Sequence, residues 1–140
     1  MARGASAAGG TAGYSATPQA RKLGLKPGGR LVLDAAPAGW RLIDPPDLES
    51  VGRSGAADVV ISFFTASAEL GPRLPGLAER IRPAGAIWAA WPRRAGGHDS
   101  DITDNVIREH ALPLGLVDVK VAAIDDDWSG QKLVWRKELR

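Results

Sequence analysis

Cysteine is absent from this chain of 140 residues. That excludes disulfides, thiolate metal sites and a cysteine nucleophile, and it fits a reducing compartment. Histidine is scarce. His98 and His110 stand far apart and lack the spacing of zinc ligands. Long apolar runs are missing too: no stretch approaches the ~18 residues that a transmembrane helix needs, so no membrane partner is expected. The start of the chain lacks the apolar core of a secretory signal. These absences together make the cytoplasm the expected location. Charge of one sign is also in short supply, since 18 Lys and Arg stand against 16 Asp and Glu for a net +2, dispersed along the chain. Nucleic-acid binding draws on a clustered positive face, so that partner is not expected.

What remains has an ordinary globular balance, with 44% hydrophobic and 24% charged residues. The length suits one domain, since most domains run to ~100–150 residues. Residues 1–14 are dominated by Ala, Gly, Ser and Thr and bury too little to offset ordering. They are expected to form a flexible tail ahead of a single α/β domain over residues 15–140.

Thr17-Pro18 predicts a helix start, with Thr17 as cap and Pro18 at the first helical position; Gly24 ends that helix. Apolar runs at 30–34, 58–64 and 85–91, bounded by Gly and Pro, predict strands buried on both faces. Residues 40–43 fit either a short strand or a helical turn. Ser67 predicts a cap, and Leu70, Leu74, Leu77, Ala78 and Ile81 share one helical face. Pro72 and Pro75 predict a kink or two helical pieces. Thr103 predicts the cap of a helix whose inward stripe is Val106, Ile107, His110, Ala111 and Leu114, closed by Gly115. Residues 116–124 alternate through Val117, Val119 and Val121, predicting a strand with one wetter face. After a turn at 125–130, residues 132–136 predict a last strand, antiparallel to its predecessor. Strands alternating with helices imply a mostly parallel sheet flanked by helices, here closed by an antiparallel C-terminal hairpin.

The run from the second strand through Ile81-Arg82-Pro83-Ala84-Gly85-Ala86, a strand ending in Trp91-Pro92, a helix and a hairpin resembles the C-terminal half of the class I methyltransferase (Rossmann-like) fold. A wider resemblance is to a bacterial family of short proteins classed as a domain of unknown function. It is carried by Gly13-Tyr14-Ser15, Thr17-Pro18, Lys22-Leu23-Gly24, Trp91-Pro92-Arg93, the run from Ala111-Leu112-Pro113-Leu114-Gly115 to Val119-Lys120, and Trp128-Ser129-Gly130 with Lys132-Leu133-Val134. The resemblance implies a truncated methyltransferase-like topology; it transfers no activity.

S-adenosylmethionine is the cofactor that such a fold brings to mind. Its site needs a Gly-rich turn after the first strand, because only glycine lets the backbone approach the ligand. Here that turn is Asp34-Ala35-Ala36-Pro37-Ala38-Gly39, with one glycine where about three are expected, and Gly28-Gly29 lie before the strand. A strand at Trp40 would also leave too little chain for a crossover helix, which takes ~10–12 residues. The sequence therefore argues against that cofactor, and no metal is expected.

Ligands of open α/β sheets bind beyond the carboxyl ends of the parallel strands. Those ends are residues 34–39, 64–67 and 91–94, so the ligand-binding candidates are Asp34, Pro37, Gly39, Thr65, Trp91 and Arg93, with Trp128 from the closing hairpin. Trp91 offers a stacking face and Arg93 a planar fork for phosphate or carboxylate; the alternative is Trp91 as core and Arg93 as solvated charge. Asp34 could bind a ribose hydroxyl or act as a base, but a turn carboxylate at a strand end is the simpler account. His98, Asp99 and Asp101 fit a mobile loop or lid better than a metal site. Asp101 and Asp104 suit a helix N-terminus. Asp125-Asp126-Asp127 fits a solvated turn, Ser129 a turn, His110 the core, and Arg21, Lys22, Lys26 and Arg30 a solvated basic face.

The expectation is a non-catalytic binding or regulatory module whose partner is an anionic small molecule or a protein. The alternatives are a small transferase with an atypical cofactor or anion site beyond the strand ends, and a weak nucleic-acid binder.

Overall fold

The computed structural model describes residues 17–52 and 54–140. The expected tail at 1–14 and the Gly13-Tyr14-Ser15 part of the family resemblance lie outside the described residues. In chain order the elements are α1 (Gln19–Leu23), β1 (Arg30–Asp34), β2 (Glu49–Ser50), β3 (Val59–Phe63), α2 (Leu70–Arg80), β4 (Ala86–Pro92), α3 (Asp104–Ala111), β5 (Leu116–Ala123) and β6 (Trp128–Trp135). The strands form one six-stranded sheet in the order β2-β1-β3-β4-β6-β5. β2, β1, β3 and β4 are parallel. β6 runs antiparallel to both of its neighbours. This is the expected class, an α/β sheet that is mostly parallel, flanked by helices and closed by an antiparallel hairpin.

The apolar runs become central strands because both faces of the sheet are covered. Every residue of β3 is buried. Side chains alternate across a strand, so β3 and β4 feed two cores. One holds Val60, Phe64, Ile87 and Ala89 under α2 and α3. The other holds Val59, Ile61, Phe63, Trp88 and Ala90 under Leu23 and Leu25 of the α1 region. Burying a side chain such as Leu74 or Ile81 contributes ~1.5–3 kcal/mol, and both are fully buried.

Several local expectations shift. Pro18 occupies the cap position of α1, one residue before the helix, and no side chain caps it; Gly24, at φ 76°, closes the helix as expected. Ser67 does not cap α2. It opens a 3-10 turn over Ser67–Glu69, and its hydroxyl is engaged elsewhere. α2 runs through Pro75 as one helix, because Pro72 falls in the first turn, where a backbone donor is not needed, and Pro75 forgoes one. The Arg82–Pro83 peptide is cis. Gly85 follows; a Cβ there would lie 2.7 Å from the Ala57 carbonyl and 2.9 Å from that of Asp58, so only glycine fits against the start of β3.

Residues 40–43 are neither strand nor helix. The strand that pairs with β1 comes later, at Glu49 and Ser50, in register with Arg30 and Leu31. The crossover to it, residues 35–48, contains no helix. The sequence predicts no helix after β1 for want of chain before a strand at Trp40; the structure has none for a different reason. There is chain enough for one; Pro37, Gly39, Pro45 and Pro46 break it up.

β5 departs furthest from its reading. The alternation puts Val117, Val119 and Val121 on one regular face, but Val119 and Val121 are 53% and 51% exposed. The register slips between Asp118 and Lys120, so one residue bulges and the alternation breaks there. β5 is an edge strand, and such a bulge blunts an edge against unwanted pairing.

Candidate functional site

The carboxyl ends of β1, β3 and β4 form a rim, and its side chains divide by face. On the α2 face the centre is Arg73. Helical spacing brings its guanidinium back over the end of β3, where Nη1 donates to the Phe63 carbonyl at 2.9 Å. Nη2 donates to Asp34 Oδ2 at 2.5 Å and to Ser62 Oγ at 3.0 Å. The Ser62 hydroxyl donates to the same Asp34 oxygen at 2.6 Å. Glu69, four residues before Arg73, pairs with Nη1 at 3.3 Å. Glu69 also accepts from the backbone N–H and hydroxyl of Thr65, at 3.0 and 3.1 Å. The Arg73 guanidinium lies over the Phe64 ring at 4.1 Å.

The loop after β4 is pinned to this network. Asp101 accepts from the Ser67 N–H at 2.8 Å and from its hydroxyl at 2.5 Å. Those two hydrogen bonds hold the Asp101 carboxyl below the usual range, the hydroxyl being the larger cause. Ser100 donates to the Thr65 carbonyl at 3.3 Å. Further along, His98 Nε2 and Asp127 Oδ1 lie 3.0 Å apart. Asp101 therefore works as a strap between loops, and the stretch from His98 to Asp101 carries three such ties.

On the opposite face the rim is aromatic. Phe63 is packed between Trp40, at 4.9 Å, and Trp128, at 5.0 Å, both edge-on. Asp125 joins the two tryptophans. Its Oδ2 accepts from the Trp40 indole at 2.8 Å and its Oδ1 from the Trp128 N–H at 2.9 Å. Pro37 and Gly39 are exposed and make the turn that delivers Trp40. The Trp40 N–H donates to the Pro37 carbonyl at 3.0 Å, and Gly39 takes φ 79°.

The sequence candidates thus separate. Asp34 and Thr65 meet on the α2 face, through Arg73 and Glu69. Pro37, Gly39 and Trp128 meet on the other, through Trp40 and Phe63. Trp91 and Arg93 do not form a pair. Trp91 packs against the core beneath α2 and α3. Arg93 turns its guanidinium to the hairpin, where Nη1 donates to the carbonyls of Asp125 and Asp126 at 3.2 and 3.4 Å. Sequence reasoning missed Arg73, Glu69, Ser62, Trp40 and Phe63 as parts of the rim. A readable signal existed for the first two, since Glu69 and Arg73 are an i,i+4 pair of opposite charge.

Two cavities open away from this rim. One of about 100 Å³ is lined by Leu25, Leu31, Leu48 and Val59, with Arg30 and Asp58 at the amino ends of β1 and β3. Another of about 440 Å³ lies beside it, bordered by Arg21, Lys26, Asp44 and Pro46. Among the described residues no cluster of His, Asp or Glu could hold a metal ion, and no helix is long and apolar enough to cross a membrane.

S-adenosylmethionine does not fit these residues. Asp34 Oδ2 is taken by Arg73 and Ser62. Ala35, at φ 59°, brings a Cβ to the turn where a close approach requires glycine. No helix follows to point its N-terminus at the ligand.

Fold and site together define an α/β domain whose strand ends carry an internally satisfied charged network and an aromatic cluster. Comparison with protein-family models and with curated protein sequences returns no match.

Proposed function

We propose that the chain is a truncated methyltransferase-like domain that acts as a binding or regulatory module, with an anionic small molecule or a protein as its partner. The hairpin supports the fold-level part of this reading. β6 lies antiparallel between β4 and β5, the closure that the resemblance implies. The functional part rests on one observation: Asp34, the carboxylate that ends β1, is committed to Arg73 and Ser62. Both bonds fall on Oδ2, so turning that oxygen to a ligand would break the tie to Arg73 and to Ser62 together. This carboxylate instead fixes α2 to the sheet.

The test is thermal unfolding with S-adenosylmethionine, S-adenosylhomocysteine and adenosine. A ligand that binds the native state raises the midpoint in proportion to the logarithm of its concentration. No shift is expected with any of the three. A concentration-dependent rise with the first two would overturn the reading and restore the transferase.

A further inference from the structure

Cations converge on the face of the closing hairpin that looks toward α1. Lys22, in the last turn of α1, donates from Nζ to the Ala123 carbonyl at 2.9 Å. Arg93 reaches the next carbonyls of the same turn, those of Asp125 and Asp126. Lys120 lies 5.7 Å over the ring of Trp88, whose indole N–H donates to the Leu23 carbonyl of α1 at 3.0 Å. None of the three belongs to an ion pair among the described residues. Two of the three carboxylates on the turn are engaged, and the third, that of Asp126, is exposed. Asp125 accepts from Trp40, Asp127 and Trp128, and Asp127 pairs with His98. The cations sense one another: burial first, then the charges of Arg93 and Lys120, hold the Lys22 ammonium below its ordinary pKa. Arg93 Nε and Nη2 have no hydrogen-bond partner among the described residues, and Lys120 is exposed. Like charges held by neutral carbonyls and a ring, outside any ion pair, create a local positive potential that favours an anion. Ammonium groups and a guanidinium edge together suit an oxyanion with several acceptor oxygens.

We propose that Lys22, Arg93 and Lys120 form a binding site for a small divalent oxyanion of the phosphate class, on the α1-facing side of the closing hairpin. The arrangement deepens the reading of a module with an anionic partner, and it lies on the other face of the sheet from Asp34 and Arg73. A dianion balances two of the three cations, whereas a monocarboxylate balances one. Lys22 and Arg93 are already ordered by the carbonyls they hold, so little side-chain freedom is lost on binding.

The experiment is a titration of the full chain with inorganic phosphate at fixed ionic strength, read from the lysine side-chain resonances, with acetate and chloride as controls. Phosphate is expected to shift the Lys22 and Lys120 signals saturably and to raise the Lys22 pKa; acetate and chloride are expected not to. Lys22→Gln and Lys120→Gln should each weaken phosphate binding about tenfold, the loss of one charge-assisted contact. Lys120 is exposed, so its variant keeps the fold if Lys22→Gln does not. Equal shifts with chloride, or phosphate binding unchanged in Lys120→Gln, would overturn the site. Tighter binding of a short oligonucleotide than of phosphate, with a steep salt dependence, would also overturn it in favour of a nucleic-acid backbone. The S-adenosylmethionine test reads neither lysine, so the two proposals fail separately.

Discussion

Arg73 joins three parts of the molecule through one side chain: Asp34 at the end of β1, Ser62 and Phe63 on β3, and Glu69 ahead of its own helix. Replacing it with Met keeps the stem and removes the charge between two carboxylates. The pair with Asp34 is about a quarter to a third exposed, so solvent screens part of the loss. Arg73→Met is expected to cost about 1–2 kcal/mol in urea unfolding, and Asp34→Asn less, because the amide oxygen can still accept from Ser62. An unchanged midpoint in Arg73→Met would mean that water replaces the guanidinium at no cost. At this scale the sequence disclosed residue types better than pairings. Asp34 is conspicuous at a strand end, but its partners lie on β3 and in the middle of α2, and nothing local announces them. Trp91 and Arg93 stand two apart in sequence, yet the strand ends at Pro92 between them, so Trp91 packs against the core while Arg93 reaches the carbonyls of the hairpin turn.

The elements that were legible are those whose ends carry their own chemistry. Thr103 accepts from the Val106 N–H at 3.2 Å and opens α3, and Gly115 follows Leu114 at φ 101°, as the residue types announce. Thr103→Ala is expected to lower stability by about 1 kcal/mol, measured by chemical denaturation; no loss would show that the first turn of α3 is held by packing alone. β2 was not legible because it has two residues, both polar, and its pairing with β1 is decided by the crossover rather than by its own side chains. The bulge in β5 was invisible for a related reason: Val-Asp-Val-Lys-Val alternates faultlessly, and register is a property of the partner strand. That partner has one tight point. A Cβ on Gly130 would lie 2.7 Å from Ile124 Cδ1 and 3.0 Å from Trp88 Cε3. Gly130→Val is therefore expected to destabilise by about 1–3 kcal/mol, in the manner of overpacking.

At the scale of the whole molecule, stability couples to pH through groups at both ends of the sheet. Asp58, at the amino end of β3, accepts from the side chain and the N–H of Arg30, and those bonds hold its carboxyl below the ordinary 3.8. Asp101, at the carboxyl rim, is lowered by Ser67. A carboxyl whose pKa is lower in the folded chain than in the unfolded one stabilises fully above the unfolded value. It loses that contribution as pH falls through the folded value. Lys22 works in the opposite sense at high pH. Its folded pKa lies below 10.5, so between those two values the unfolded chain holds more protons and stability rises with pH. The profile of unfolding free energy should therefore fall below about pH 4 and gain slightly on the alkaline side, where Lys22→Gln abolishes the gain. Asp58→Asn combined with Asp101→Asn should flatten the acid limb while leaving the alkaline limb intact, because the two carboxyls and Lys22 lie in separate parts of the molecule and their effects should add. An acid limb as steep in the double variant as in the parent would assign acid sensitivity to other carboxylates and would remove the Ser67–Asp101 strap from any part in holding the rim together.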